Sequence, residues 1–397
     1  MVDVYLHIGL PKTGTTTVQT ALERRSEALA DAGVLYPAGR RAQRLAAFDL
    51  IGQRVEGDER HVPGAFARLV DEMSGFDGKA VIFSEEELGL ARPRQVRRLV
   101  QSLPDHRVFV VITVRDMART VVSAWQQAVV MGRTTTWEEY VAAVRDSRGG
   151  DVSVAAGFWA RHDLPAVMDT WATVVPPERI RVVTVPPRGA PPGTLLERFA
   201  AATDLPPDIW GDWERTERYV SFGAAELEVI RRLNERVVGP LTLRQHRFVV
   251  ENGIRPGMSG TDSRPLTLPP EHVAWAVDHG RDLVAELRRR EAPFFGDLDD
   301  LVPVEDAATG RRLDDVSEAE LLAGSEAVLA ALAQAYGKLA RRYRQISQAD
   351  DGSPSAGDVL GSVSRRTTFR FKKFAQKHAN DNRLFAGAAR RYVKRGR

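Results

Sequence analysis

The segment that most constrains the fold stands at the start of the chain. Val2-Asp3-Val4-Tyr5-Leu6-His7-Ile8 runs straight into Gly9-Leu10-Pro11-Lys12-Thr13-Gly14, and Thr15–Ala32 follows with helical spacing. An apolar strand, a turn with two glycines and a helix in immediate succession form the entry unit of an open α/β fold. The alternation continues downstream. Lys79–Ser84, Arg107–Arg115 and Arg179–Val185 read as further strands, separated by helical patterns at 64–74, 92–102, 117–131 and 137–146. The near-continuous apolar run of Arg107–Arg115 predicts a central parallel strand covered on both faces. Beyond Val185 the pattern turns helical, at 193–202, 223–238, 271–291 and 317–346.

The glycine turn is suited to a phosphate-like group. Its glycines permit a tight backbone turn, and the N–H groups at the following helix start point at any anion docked there. Lys12 adds a full positive charge, and the hydroxyls of Thr13, Thr15, Thr16 and Thr17 add donors. The turn departs from the Walker A pattern, in which lysine directly follows the second glycine; here Lys12 precedes Gly14 by two residues.

Two more constellations lie at predicted strand ends, where open α/β sheets bind ligands. Strand Val108–Val114 ends in Arg115-Asp116, and Ser123 follows eight residues after Arg115. On a helix begun near Met117, Arg119 and Ser123 share a face. The strand at 79–84 ends in Ser84-Glu85-Glu86-Glu87, whose adjacent carboxylates repel one another and so raise a pKa. If the strand persists, Glu85 and Glu86 alternate in direction and one of them faces substrate. His7 and Trp125 read more simply as core residues.

Pro11-Lys12-Thr13-Gly14-Thr15-Thr16-Thr17 after a first strand resembles the 5'-phosphosulfate loop of the sulfotransferase superfamily that uses 3'-phosphoadenosine 5'-phosphosulfate (PAPS). The strand, Arg-Asp and helical serine resemble that family's 3'-phosphate motif, with Arg115 and Ser123 matching and Arg119 at a position basic in some branches. The resemblance covers about residues 1–303 and points to the bacterial, actinobacterial-type sequences. It implies a P-loop-like, mainly parallel α/β sheet flanked by helices, with a helical C-terminal half and a basic tail. It further implies sulfuryl transfer from PAPS to a hydroxyl or amine, releasing PAP. Lys12 is then expected at the bridging oxygen and sulfuryl group, with the loop backbone and threonines on the 5'-phosphate and Arg115 and Ser123 on the 3'-phosphate. Glu85 or Glu86 is the expected base. Related sequences often carry Ser-His-Glu where this chain has Ser84-Glu85-Glu86, which leaves the identity of the base open.

The expected organisation is a sulfotransferase domain at 1–303, a helical extension at 304–349, a linker at 350–364 and a basic tail at 365–397. From Arg365 onward 12 Lys and Arg stand against one acid, so this segment carries +11 while the remainder carries −8 of the net +3. Phe369, Phe371, Phe374, Leu384, Phe385, Tyr392 and Val393 interleave with those charges, a mix suited either to a solvated tail or to an anionic membrane surface. Nucleic acid is not an expected partner; a small molecule, glycan or lipid is the expected acceptor, with specificity in the loops at 36–63 and 253–270. The chain contains no cysteine, which excludes thiolate metal sites, disulfides and cysteine nucleophiles. No metal is expected. The N-terminus lacks a basic region followed by a long apolar stretch, so the expected location is the cytoplasm, with peripheral membrane contact through the tail.

Two alternatives stay open. A nucleotide kinase or NTPase would use Asp116 at the end of an apolar strand for magnesium, although the loop lacks the Walker A lysine. A non-catalytic PAP- or glycan-binding protein of the same fold is kept open by Glu85.

Overall fold

Nine residues of nearly unbroken apolar character, His106–Val114, require cover on both faces, and the chain supplies it with helices. The computed structural model describes residues 1–53, 60–146, 153–211, 222–258, 265–304, 313 and 315–351, with side chains to 346. The strands are β1 (Val2–His7), β2 (Val34–Leu35), β3 (Ala80–Ser84), β4 (His106–Val114), β5 (Ile180–Thr184) and β6 (Phe294–Phe295). They form one six-stranded sheet in the order β2-β3-β1-β4-β5-β6. Every pairing is parallel. The predicted α/β class is therefore present, with the four predicted strands at its centre. The edge strands β2 and β6 are two residues each, too short for periodicity to announce them.

The helices before β5 are α1 (Thr15–Arg24), α2 (Ser26–Asp31), α3 (Gly39–Ile51), α4 (Ala65–Ser74), α5 (Pro93–Gln101), α6 (Met117–Val130), α7 (Trp137–Asp146), α8 (Ser153–His162) and α9 (Leu164–Ala172). After β5 come α10 (Thr194–Ala202), α11 (Ala224–Val237), α12 (Leu243–Phe248), α13 (Pro270–Arg289) and α14 (Glu318–Asp351). The chain divides into two compact units, 1–332 and 333–397. The loop expected at 36–63 is helical over Gly39–Ile51, where Gln43 accepts from the backbone N–H of Ser84 at 2.8 Å and donates to Pro37 O at 2.8 Å. The loop expected at 253–270 begins inside a π-helical segment, Val249–Ile254, followed by a 3-10 turn, Arg255–Met258. Part of each expected loop, the linker from residue 352 on and the tail lie outside the described residues, and the first two linker residues, Asp350 and Asp351, end α14.

Period-two alternation divides the core. Val4, Leu6, Val110, Ile112 and Phe83 pack on one face with residues of α3, α4, α5, α9 and α13. Tyr5, Phe109, Val111 and Ile82 pack on the other with α1, α2 and α10. A third cluster is helical, built from α6, α7, α8 and α11, and Trp125 sits in it fully buried. Its ring centroid lies 5.3 Å from that of Trp137, and its indole N–H donates to Thr135 O at 3.0 Å. Trp125 therefore belongs to the core and positions α6. Trp125→Ala is expected to destabilise the protein by about 3–5 kcal/mol, the cost of emptying a buried aromatic site, as read by chemical denaturation.

Candidate active site

The strand order reverses about β1, which pairs with β3 on one side and β4 on the other. At such a switch point the connections leave in opposite directions and open a crevice at the strand C-termini. The loop after β1, the acidic run after β3 and Arg115 after β4 all emerge there.

Hydrogen bonds between strands hold the loop in shape. His7 Nδ1 lies 2.7 Å from Ser84 Oγ, and Nε2 lies 3.2 Å from Thr113 Oγ1, so one imidazole joins β1, β3 and β4. Thr113 Oγ1 is 2.6 Å from Thr13 Oγ1, which also donates to Leu10 O. Burial pushes His7 down to about 3, so the ring is neutral and acts as a connector. Leu10 N–H extends the ladder by donating to Thr113 O at 2.7 Å. Gly9 and Gly14 have φ of 84° and 85°. A Cβ on Gly9 would stand 3.0 Å from Glu86 Cβ, and one on Gly14 would stand 2.5 Å from Leu195 Cδ2. Lys12 shares the left-handed region, at φ 64°.

Two of the four expected loop hydroxyls serve the protein itself. Thr13 is held as described, and Thr15 Oγ1 donates to Glu86 Oε2 at 2.6 Å. The exposed Thr16 and half-buried Thr17 make no side-chain hydrogen bond among the described residues. The first bonds of α1 run from Thr17 and Val18 to Gly14 O. Ahead of them, the N–H groups of Thr15 and Thr16 stand at the helix start, a position whose free donors suit an anion.

Lys12 Nζ donates to Gln127 Oε1 of α6 at 2.6 Å. Burial holds its ammonium below the ordinary lysine value; Glu86 and Glu251 oppose that shift, and Arg255 and Arg115 add to it. Gln127, Glu251 and Arg255 escaped sequence reasoning. Gln127 stands four residues after Ser123 on one helix, the spacing that would have revealed it. Glu251 and Arg255 sit on the π-helical segment and the turn after it and form an ion pair at 2.7 Å; such segments frequently mark functional sites.

The two candidate bases part company. Glu86 meets the loop through Thr15 and stands among the charges around Lys12. Glu85 caps the 3-10 turn Glu86–Leu90 by accepting from Glu87 N–H at 3.4 Å, and it is 7% exposed. Burial pushes Glu85 up to about 7; adjacent Glu86 adds to the shift and Arg44 opposes it. Glu87 is paired with Arg161 at 3.3 Å.

At the end of β4, Arg115 Nη2 donates to Ser123 Oγ and to Arg119 O, both at 2.7 Å. The eight-residue spacing thus brings arginine and serine into contact. Burial pulls Arg115 down to about 10, with Asp116 opposing and Arg119 and Arg188 adding. Arg119 itself faces elsewhere. Its guanidinium pairs with Asp116 and donates to Pro186 O at 2.9 Å and Val185 O at 3.3 Å, fastening α6 to the exit of β5. Asp116 also accepts from Arg119 N–H at 2.9 Å as the cap of α6, so its carboxylate is engaged in structure. A cavity of about 20 Å³ joins Arg115 to Thr13 and His162. Arg115 Nε and His162 Nδ1 are both buried and find no hydrogen-bond partner among the described residues. Burial, with Arg161, Arg115 and Lys12 adding to it, pushes His162 down to about 3. Among the described residues no group of three or more His, Asp or Glu is placed to hold a metal ion.

The fold and this edge define a parallel α/β protein in which two cations, Lys12 and Arg115, follow the neighbouring strands β1 and β4 at their C-terminal ends. No protein-family model matches the chain, and no curated protein matches it. Among solved structures, a sulfotransferase from Alicyclobacillus acidocaldarius aligns with 62% of this chain and 99% of its own, at 14% identity and a TM-score of 0.36.

The position of Glu85 sets a pH dependence of stability. A carboxyl raised from 4.5 to about 7 binds a proton more tightly in the folded state. Its contribution is therefore fully present below pH 4.5 and is lost as pH rises through 7. Glu85→Gln, which keeps the oxygen that caps Glu87 N–H, is expected to leave stability unchanged near pH 4 and to raise it above pH 7. The gain is on the order of 3 kcal/mol or less, measured by denaturation at several pH values.

Proposed function

We propose that the chain transfers a sulfuryl group from PAPS to a hydroxyl or amine of an acceptor and releases PAP. The observation that carries this reading is the contact of Arg115 with Ser123 beside the glycine loop. It pairs a second anion anchor with the first across β1 and β4, as a nucleotide phosphorylated at both its 3' and 5' positions requires. In this reading the N–H groups of Thr15 and Thr16, with Thr16 and Thr17 hydroxyls, hold the 5'-phosphate, Arg115 and Ser123 hold the 3'-phosphate, and Lys12 stands at the bridging oxygen. The acceptor oxygen or nitrogen attacks sulfur, the bond from sulfur to the bridging oxygen breaks, and its electron pair remains on the departing phosphate. Lys12 stabilises that charge, and a carboxylate, Glu85 or Glu86, takes the acceptor proton. As in phosphoryl transfer, positioning and charge stabilisation supply most of the catalysis. Glu86 has the better location, beside Lys12, and Glu85 the better proton affinity for work near neutral pH. The NTPase alternative loses ground because Asp116 already caps α6 and pairs with Arg119.

The test is incubation with sulfur-labelled PAPS and a cell extract, followed by identification of labelled products and comparison of PAP binding with binding of ATP and magnesium. Binding of ATP and magnesium in preference to PAP would overturn the reading, and PAP binding without any labelled product would reduce it to a binding protein. Lys12→Ala is expected to lower turnover by roughly 10²–10³ while PAP affinity changes far less, because the charge is needed most as the leaving group develops. Turnover like that of the unmodified chain would remove Lys12 from the reaction.

Arg115→Ala is expected to weaken PAP binding roughly 10- to 100-fold, the loss of a charge-assisted contact of about 1.5–3 kcal/mol. Adenosine 5'-phosphosulfate, which lacks the 3'-phosphate, should bind equally well to both proteins in the same titration calorimetry. Equal losses for the two nucleotides would make Arg115 a structural residue only.

A further inference from the structure

Within the second compact unit, α14 presents an apolar stripe to solvent. Tyr336, Leu339, Tyr343 and Ile346 are 73%, 61%, 71% and 60% exposed. Their spacing of three, four and three residues places them on one helix face, within an arc of about 80°. Aligned on one face they make a continuous apolar strip rather than scattered single residues, and a continuous exposed apolar strip rimmed by polar groups marks an interaction surface.

The rest of the circumference names that surface. Lys338, Arg341, Arg342 and Arg344 occupy the remaining arc, and no Asp or Glu occurs from residue 333 to 346. Beyond residue 351 the chain has 46 more residues, and the last 33 carry +11 by sequence. A helical segment with a narrow Tyr, Leu and Ile face and only cations among its charged residues has the composition of one that lies in a lipid interface. Tyrosine suits that boundary because its ring is apolar and its hydroxyl stays wet. Long basic side chains reach from the helix flanks toward headgroup phosphates. Crossing the bilayer is a different matter: no described helix is long and apolar enough.

We propose that α14 from Tyr336 to Ile346 is a docking surface for an anionic lipid membrane, with the Tyr336, Leu339, Tyr343 and Ile346 face buried among the headgroups and the flanking Lys338, Arg342 and Arg344 paired with their charge. The competing occupant is a second copy of this helix. Such a pairing brings the cationic flanks of one helix beside those of another with no acid between them, whereas anionic lipid neutralises those flanks. The proposal is independent of the reaction at the glycine loop.

The experiment is co-sedimentation of the full chain with vesicles of phosphatidylcholine containing phosphatidylglycerol, alongside vesicles of phosphatidylcholine alone. Binding is expected to the first and not to the second, and to fall with added salt. Leu339→Glu with Ile346→Glu removes the apolar contact, and Arg342→Ala with Arg344→Ala is expected to weaken binding roughly 30-fold from the loss of two interfacial charges. All four positions are exposed, so the melting temperature of each variant is expected to match that of the unmodified chain. Vesicle binding that survives Leu339→Glu with Ile346→Glu assigns the membrane contact to another part of the chain and overturns the proposal. Absence of vesicle binding, together with a dimer in solution that the same variant dissociates, would replace lipid with a second copy.

Discussion

A neutral imidazole buried among three strands holds the candidate site together. His7 bridges Ser84 on β3 and Thr113 on β4, and Thr113 in turn reaches Thr13 in the loop. Each bond is modest by itself, about 1 kcal/mol net, but in a buried, low-dielectric interior the members of a chain polarise one another and each is costly to leave unmade. The loop, the acidic turn and Arg115 all leave from strands that this chain ties into one register. Their relative positions are thus set before any ligand arrives, which is the condition for electrostatic stabilisation without reorganisation.

Around that frame the charges are arranged in opposition. Lys12 and Arg115 are cations whose burial works against their charge, and Glu86, Glu251 and Asp116 work in favour. A bound anion would act on the cations in the same direction as those carboxylates. Arg115 Nε, buried beside the His162 ring without a partner, marks the same unmet demand on the protein side.

Much of this was legible in the sequence, for reasons that differ by element. β1, β3, β4 and β5 were readable because strands covered on both faces carry long apolar runs, and the glycines of the loop because only glycine relaxes at positive φ. Arg115 was readable as the end of an apolar strand, and its link to Ser123 came from the resemblance to the 3'-phosphate motif. The edge strands were invisible at two residues each. Helix α3 was read as loop because its core side is narrow and mixed, with buried Gln43 as its chief tie to β3. Arg119 shares a helix face with Ser123, yet the nearby Asp116 captured its guanidinium, a competition that spacing cannot rank. The threonines illustrate the same limit: four hydroxyls look equivalent along the chain, and only tertiary contacts separate Thr13 and Thr15 from Thr16 and Thr17. The difference between Glu85 and Glu86 is also tertiary, since one carboxylate turns toward Arg44 and the other toward the loop.

Lys12 adopts a backbone conformation that costs an L-residue about 1–2 kcal/mol and a glycine almost nothing. Glycine at this position would make the loop more comfortable and strip it of its charge. Under the proposed transfer the position sets durability against chemistry. A selection for heat resistance alone would drift toward replacing Lys12, and a lineage that kept the fold without that transfer would be expected to show the change among its first.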